Sequence, residues 1–145
     1  MYRHRQVGWL IVTGFGSIAF SLGYIAYHSH QFGPLVPMVL VVTVLALFST
    51  LTVKVNDEFI EVCFGPGVIR KKWRLADVQS CQPVRNHWWY GWGIRWIGHG
   101  KWLFNVSGLD AVELSLKDGR IYRVGTDEPQ RLCELILGKL NKNAT

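Results

Sequence analysis

The sequence predicts an α+β protein of two unlike parts: a two-helix transmembrane hairpin over residues 1–53, then a small antiparallel sheet domain with a C-terminal amphipathic helix over 54–145. Three observations predict it. No Asp, Glu, Lys or Arg occurs from Gln6 through Val53, a run of 48 residues. All 26 charged residues therefore lie in the other 97, about 27%, close to the roughly 25% of ordinary soluble domains. After Val53, long apolar runs give way to short alternating segments with turn residues between them, and the chain closes on an apolar stripe of helical period. A composition 49% hydrophobic and 13% aromatic excludes a disordered chain.

The charge-free run divides at His28-Ser-His-Gln-Phe-Gly-Pro34, whose Gly-Pro end is turn chemistry. Val7–Tyr27 supplies 21 residues and Leu35–Val53 supplies 19, each near the roughly 20 a helix needs to cross a bilayer. A 92-residue domain is too small to cover two helices apolar all round, so a buried soluble pair is disfavoured. The first run is also longer than the roughly 7–15 residues of a signal-peptide core, which favours an uncleaved anchor. Arg3 and Arg5 precede the first span, and Lys54, Arg70, Lys71 and Lys72 follow the second, while the turn carries no Lys or Arg; both termini are expected on the cytoplasmic side.

The later segments read as strands: Leu51–Val55, overlapping the end of the second span, then Phe59–Phe64, Val68–Leu75, Val78–Val84, Trp102–Val106, Val112–Leu116 and a last one after Lys117-Asp-Gly119. A three-residue loop with Gly119 in the left-handed conformation pairs Val112 with Val124, Leu114 with Tyr122 and Glu113 with Arg123, sorting apolar pairs from the ion pair. Thr126 or Asp127 caps the final helix, Pro129 lies in its first turn, and Leu132, Leu135, Ile136 and Leu140 form its apolar stripe.

Seven strands and a helix behind a membrane hairpin resemble the bacterial membrane-anchored pleckstrin-homology-like (PH-like) proteins. The resemblance rests on Val53–Ile60, Phe64-Gly-Pro-Gly-Val-Ile69, Leu75–Val78, Trp88-Trp-Tyr-Gly-Trp-Gly-Ile94, Asn105–Leu109 and Lys117–Arg120 leading to Gly125–Pro129. It implies a bent antiparallel sheet or partly open barrel plugged by the helix. It implies no activity, because such folds serve to bind lipids, peptides or proteins.

Catalysis has little support. Cys63, Cys81 and Cys133 are single, without a C-x-x-C pair, and read as buried thiols. His28 and His30 share the turn but have no carboxylate or cysteine beside them to complete a metal site. No metal, cofactor or small-molecule substrate is expected. Asn105-Val-Ser107 and Asn143-Ala-Thr145 have glycosylation spacing, but their cytoplasmic side makes both chance matches.

The unusual segment runs from Trp88 to Trp102. It holds five of the seven tryptophans (Trp88, Trp89, Trp92, Trp96, Trp102) with Tyr90, Arg95 and Lys101, and no acidic residue occurs from Val78 to Leu109. Its glycines make it turn-rich. Three readings stand: aromatic core packing, contact with the inner leaflet, or a protein interface. The basic group Arg70, Lys71, Lys72 and Arg74 reads either as a solvated strand edge or as a membrane-facing patch. Nucleic acid is not expected on a membrane-held domain of such modest charge. The expectation is a non-enzymatic inner-membrane interaction module binding a protein partner or itself at the cytoplasmic surface, with anionic-lipid binding as the alternative.

Overall fold

A computed structural model describes residues 2–143; the second glycosylation-like triplet thus ends outside the described residues. The chain opens with a strand, β1 (Tyr2–Val7), and enters helix α1 (Trp9–Ser29). It then turns into α2 (Leu35–Phe48) and returns as β2 (Thr50–Val55), which pairs antiparallel with β1 from Tyr2↔Val55 to Val7↔Thr50. β3 (Phe59–Phe64) and β4 (Ile69–Arg74) complete a four-stranded sheet in chain order.

The second sheet holds β5 (Val78–Arg85), β6 (Gly93–Trp96), β7 (Lys101–Asn105), β8 (Asp110–Leu116) and β9 (Ile121–Gly125), in the order β5-β8-β9-β7-β6. Its β7–β9 pairing is parallel, so the expectation of a wholly antiparallel sheet is corrected. The cause is the β8–β9 hairpin, which inserts β9 between β7 and β8. That hairpin has the expected register: Val112↔Val124, Glu113↔Arg123 and Leu114↔Tyr122, with Gly119 at φ +86°. Helix α3 (Pro129–Asn143) packs against β5 and β8 through Leu132, Cys133 and Ile136. At its start the Thr126 hydroxyl accepts a hydrogen bond from the Glu128 N–H at 3.2 Å.

The core lies between the sheets. Leu51, Val53, Val55, Ile60, Val62, Phe64 and Trp73 face it from the first sheet, and Phe104, Val112, Leu114, Tyr122 and Val124 from the second. Burial of such side chains contributes about 1.5–3 kcal/mol each.

Two expectations about the hairpin are corrected. Its second helix ends at Phe48 rather than Val53, because Thr50–Val55 alternate inward Leu51, Val53 and Val55 with outward Thr50, Thr52 and Lys54 and pair on both sides with strands. The first helix starts at Trp9 rather than Val7, because Tyr2–Val7 form β1 against β2. α1 is long and apolar enough to span a membrane, and of its 21 residues only Ile11 is buried. α2 has 14 residues, none buried, and covers about 21 Å.

The feet of the hairpin are fixed to the sheets. The Gly8 N–H donates to the Ser49 carbonyl at 2.7 Å, joining the two crossings from sheet to helix. Ile11 enters the core, and Phe48 meets Phe64 edge-on with ring centroids 5.6 Å apart. On the other side, Gly65 approaches the Ala46 and Leu47 carbonyls so closely that a Cβ there would overlap both.

Candidate functional site

The Trp-rich segment is built as a short 3-10 turn at Trp88–Tyr90 followed by the β6–β7 hairpin, with Gly91, Gly93, Gly98 and Gly100 all at positive φ. β6 is a strand within what reads, in the sequence, as loop. The tryptophans are not core: Trp88, Trp89 and Trp96 are 74%, 59% and 64% exposed. The buried tryptophan is Trp73, 4.8 Å from the Tyr122 ring and 5.8 Å from that of Phe104.

The five separate into two groups. Trp88, Trp89 and Trp92, with Ile94 and Arg95, face the feet of both helices across a cleft of about 840 Å³, whose far wall is Ile11 and Phe15 of α1 and Val44 and Phe48 of α2. Trp89 also stacks on His87, centroids 4.4 Å apart and 5° from parallel. Trp96 and Trp102 instead lie directly opposite one another near the far end of the β6–β7 hairpin. Val106, just past the other end of β7, is the residue against which Gly8 packs, so the Trp96–Trp102 pair stands roughly 13 Å along the strand from that contact.

Lys101 is not a free surface cation. Its Nζ donates to Glu113 at 3.3 Å, where the Arg123 Nε (2.7 Å) and the Gln82 amide (3.1 Å) also donate. Arg95 remains exposed at the cleft.

The basic group divides by strand alternation. Arg70, Lys72 and Arg74 project from the outer face of the four-stranded sheet, whereas Lys71 is on the other face, its Nζ 5.8 Å from the Tyr122 ring centroid. None of the four lines the Trp cleft. β1 adds two cations that in the sequence simply precede the first span: Arg3 and Arg5 share the outer face with Arg70 and Lys72. The register places Arg5, Thr52, Cys63 and Arg70 in one row across the sheet and Arg3, Lys54, Glu61 and Lys72 in the next.

No protein-family model matches the chain, and no curated protein matches it. The side chains therefore carry the functional argument. All three cysteines are free and buried. Cys81 and Cys133, distant in sequence, share a hydrogen bond between β5 and α3, and burial together with that contact pushes the Cys81 thiol far above its ordinary range. Such a thiol is a poor nucleophile. Among the described residues no group of three or more His, Cys, Asp or Glu is placed to hold a metal ion.

Proposed function

We propose that the chain is a non-enzymatic module anchored in a membrane by the α1–α2 hairpin, with both termini and both sheets on the cytoplasmic side, whose Trp-rich segment rests in the headgroup region of the bilayer. The observation that carries this reading is the gathering of exposed Trp88, Trp89 and Trp92 at the feet of an apolar hairpin. Tryptophan prefers that depth, where its ring meets acyl chain and its N–H meets water. Arg95 at the cleft and the acid-free surroundings suit anionic lipid.

The two-span topology belongs to the proposal. α1 alone has the necessary length; α2 covers about 21 Å of a hydrocarbon core of about 30 Å, so the crossing draws on the uncharged Phe32–Pro34 turn, on tilt and on local thinning. Lys and Arg on the sheet side and their absence from the turn support the orientation. The PH-like resemblance is part of the same reading, supported by two packed sheets and a terminal helix.

A second reading has its own observation. The exposed Trp96–Trp102 pair lies away from the helix feet and suits a protein partner or a second copy, since tryptophan is enriched among the residues that dominate interface energies.

Brominated lipids separate the two. In vesicles carrying shallow bromines, the full-length chain is expected to lose a large part of its tryptophan emission, and a Trp88→Phe/Trp89→Phe/Trp92→Phe variant to lose much less. Equal quenching of both proteins would sink the lipid contact. Loss of a stoichiometric crosslinked partner on Trp96→Ala/Trp102→Ala would establish the second reading.

A further inference from the structure

The outer face of the four-stranded sheet is far more basic than either of its sequence segments. Six cations project from it: Arg3 and Arg5 on β1, Lys54 on β2, and Arg70, Lys72 and Arg74 on β4. Its one carboxylate, Glu61, is taken by Lys54 at 3.6 Å. Lys72 lies over the Phe59 ring at 3.6 Å, and the Arg70 Nε donates to the Gly67 carbonyl at 2.5 Å. Among the described residues Arg3, Arg5 and Arg74 have no carboxylate partner. Arg3 sits directly opposite Lys54, whose charge Glu61 already offsets, so within that row Arg3 is the cation left without a counter-charge.

At the rim of this face nearest the helices is a recess of about 510 Å³, into which Arg3, Arg5, Ser49, Thr50 and Thr52 converge beneath Ala46 of α2. Thr50 and Thr52 are only 6% and 7% exposed, and among the described residues neither hydroxyl has a hydrogen-bond partner. Both hydroxyls open onto the recess beside two guanidiniums without a carboxylate partner, so the lining offers several donors, two of them charged, to an acceptor-rich ligand. Edge-strand protection accounts for charge on β1 and β4 but not for the hydroxyls between them that line the same recess. The C-terminal end of α2 opposes an anion with about half a charge, which two guanidiniums outweigh.

The recess is also at the right depth. Ala46 is two residues from Val44 and Phe48, roughly 200° around the helix, so the recess and the Trp cleft lie on opposite sides of the hairpin foot at one level. We propose that Arg3 and Arg5, with the hydroxyls of Ser49, Thr50 and Thr52, bind the phosphate of an anionic phospholipid from the membrane that holds the hairpin. The site rests on the membrane reading above. It adds a polar headgroup clamp to the apolar Trp contact, the two gripping the bilayer on either side of the anchor.

Native mass spectrometry of the full-length chain released from detergent with phosphatidylglycerol or phosphatidylcholine tests it. One phosphatidylglycerol is expected to stay bound in clear preference to phosphatidylcholine. Arg3→Gln/Arg5→Gln is expected to weaken retention roughly 30-fold, at about a factor of five per cation. Lys72→Gln/Arg74→Gln, further from the rim, is expected to change it little. Thr52→Val, which removes one hydroxyl at nearly constant shape, is expected to weaken retention by itself and reports on the site if the double arginine variant does not fold. Equal retention of both lipids, or undiminished retention by a folded Arg3→Gln/Arg5→Gln chain and by Thr52→Val, overturns the site. Displacement of the lipid by millimolar inorganic phosphate would assign the recess to soluble phosphate and overturn the lipid source. Alkali treatment of native membranes keeps the two proposals distinct: a chain that is extracted overturns the anchor itself, whereas one that stays inserted without preferring phosphatidylglycerol overturns the headgroup site alone.

Discussion

Glu113 shows how one residue ties the second sheet together. It is buried on the outer face of β8, opposite Gln82 on one side and Arg123 on the other, and it accepts hydrogen bonds from both and from Lys101. The Arg123 guanidinium also reaches the Asn86 side-chain oxygen at 3.2 Å, drawing the start of the Trp-rich segment into the network. Burial alone pushes the Glu113 carboxyl up, but the hydrogen bonds from Arg123, Gln82 and Lys101 outweigh it and hold the group below the usual glutamate range. A carboxyl depressed in the folded state contributes stability that is complete above the unfolded value of about 4.3 and disappears as pH falls through the lower folded value. Glu113→Gln leaves the half-buried Arg123 without its counter-charge and is expected to cost about 3 kcal/mol at neutral pH. Denaturation of the detergent-solubilised chain between pH 7 and 3 checks both points: the variant is less stable at pH 7, and its stability falls less than that of the wild type in acid.

Among the elements, the turn between β3 and β4 sets how the hairpin stands on the sheets. Gly65 has φ +52°, and a Cβ there would strike the backbone carbonyls of Ala46 and Leu47, which no rotamer change relieves. Gly65→Ala is expected to lower stability by about 2 kcal/mol, while Gly14→Ala in α1, where an added Cβ meets nothing within 4 Å, is expected to be neutral or slightly stabilising. Thermal midpoints of the two variants in one detergent make the comparison. The β8–β9 register was legible in the sequence because its side chains sort themselves: Val112 with Val124, Leu114 with Tyr122, Glu113 with Arg123. β1 was not legible, because its inward positions are Tyr2, His4 and Gln6, which show no apolar alternation. They are held instead by polar contacts, His4 to Asp127 at 2.5 Å, Tyr2 to Glu128 at 3.3 Å and Gln6 to the Ser107 carbonyl at 3.2 Å. The end of α2 was overread because Ser49–Val53 is uncharged and satisfies a membrane-span count as well as a strand alternation. The Trp segment stood out by composition alone. The basic face did not, since Arg5 and Arg70 become neighbours only through the β1-β2-β3-β4 order.

At the scale of the molecule, β1 and β2 lead into and out of the hairpin side by side, so the sheets hang from both ends of it and the helical turn at residues 30–34 is the point furthest from them. If the hairpin spans the bilayer, that turn and the β8–β9 turn face opposite compartments; if it only dips into one leaflet, they face the same one. The short α2 makes this distinction physical rather than formal, since its roughly 21 Å falls between the two outcomes. The chain suits a thiol-labelling test because its three native cysteines are all buried. Gln31→Cys marks the helical turn, where the side chain is exposed, and Asp118→Cys marks the exposed tip of the β8–β9 hairpin. In sealed right-side-out vesicles an impermeant maleimide is expected to modify Gln31→Cys and to leave Asp118→Cys unmodified until the membrane is opened. In inverted vesicles the pattern should reverse. Labelling of both positions from the same side would remove the second span and leave a monotopic hairpin, with the Trp cleft and the basic recess still at the surface of a single leaflet.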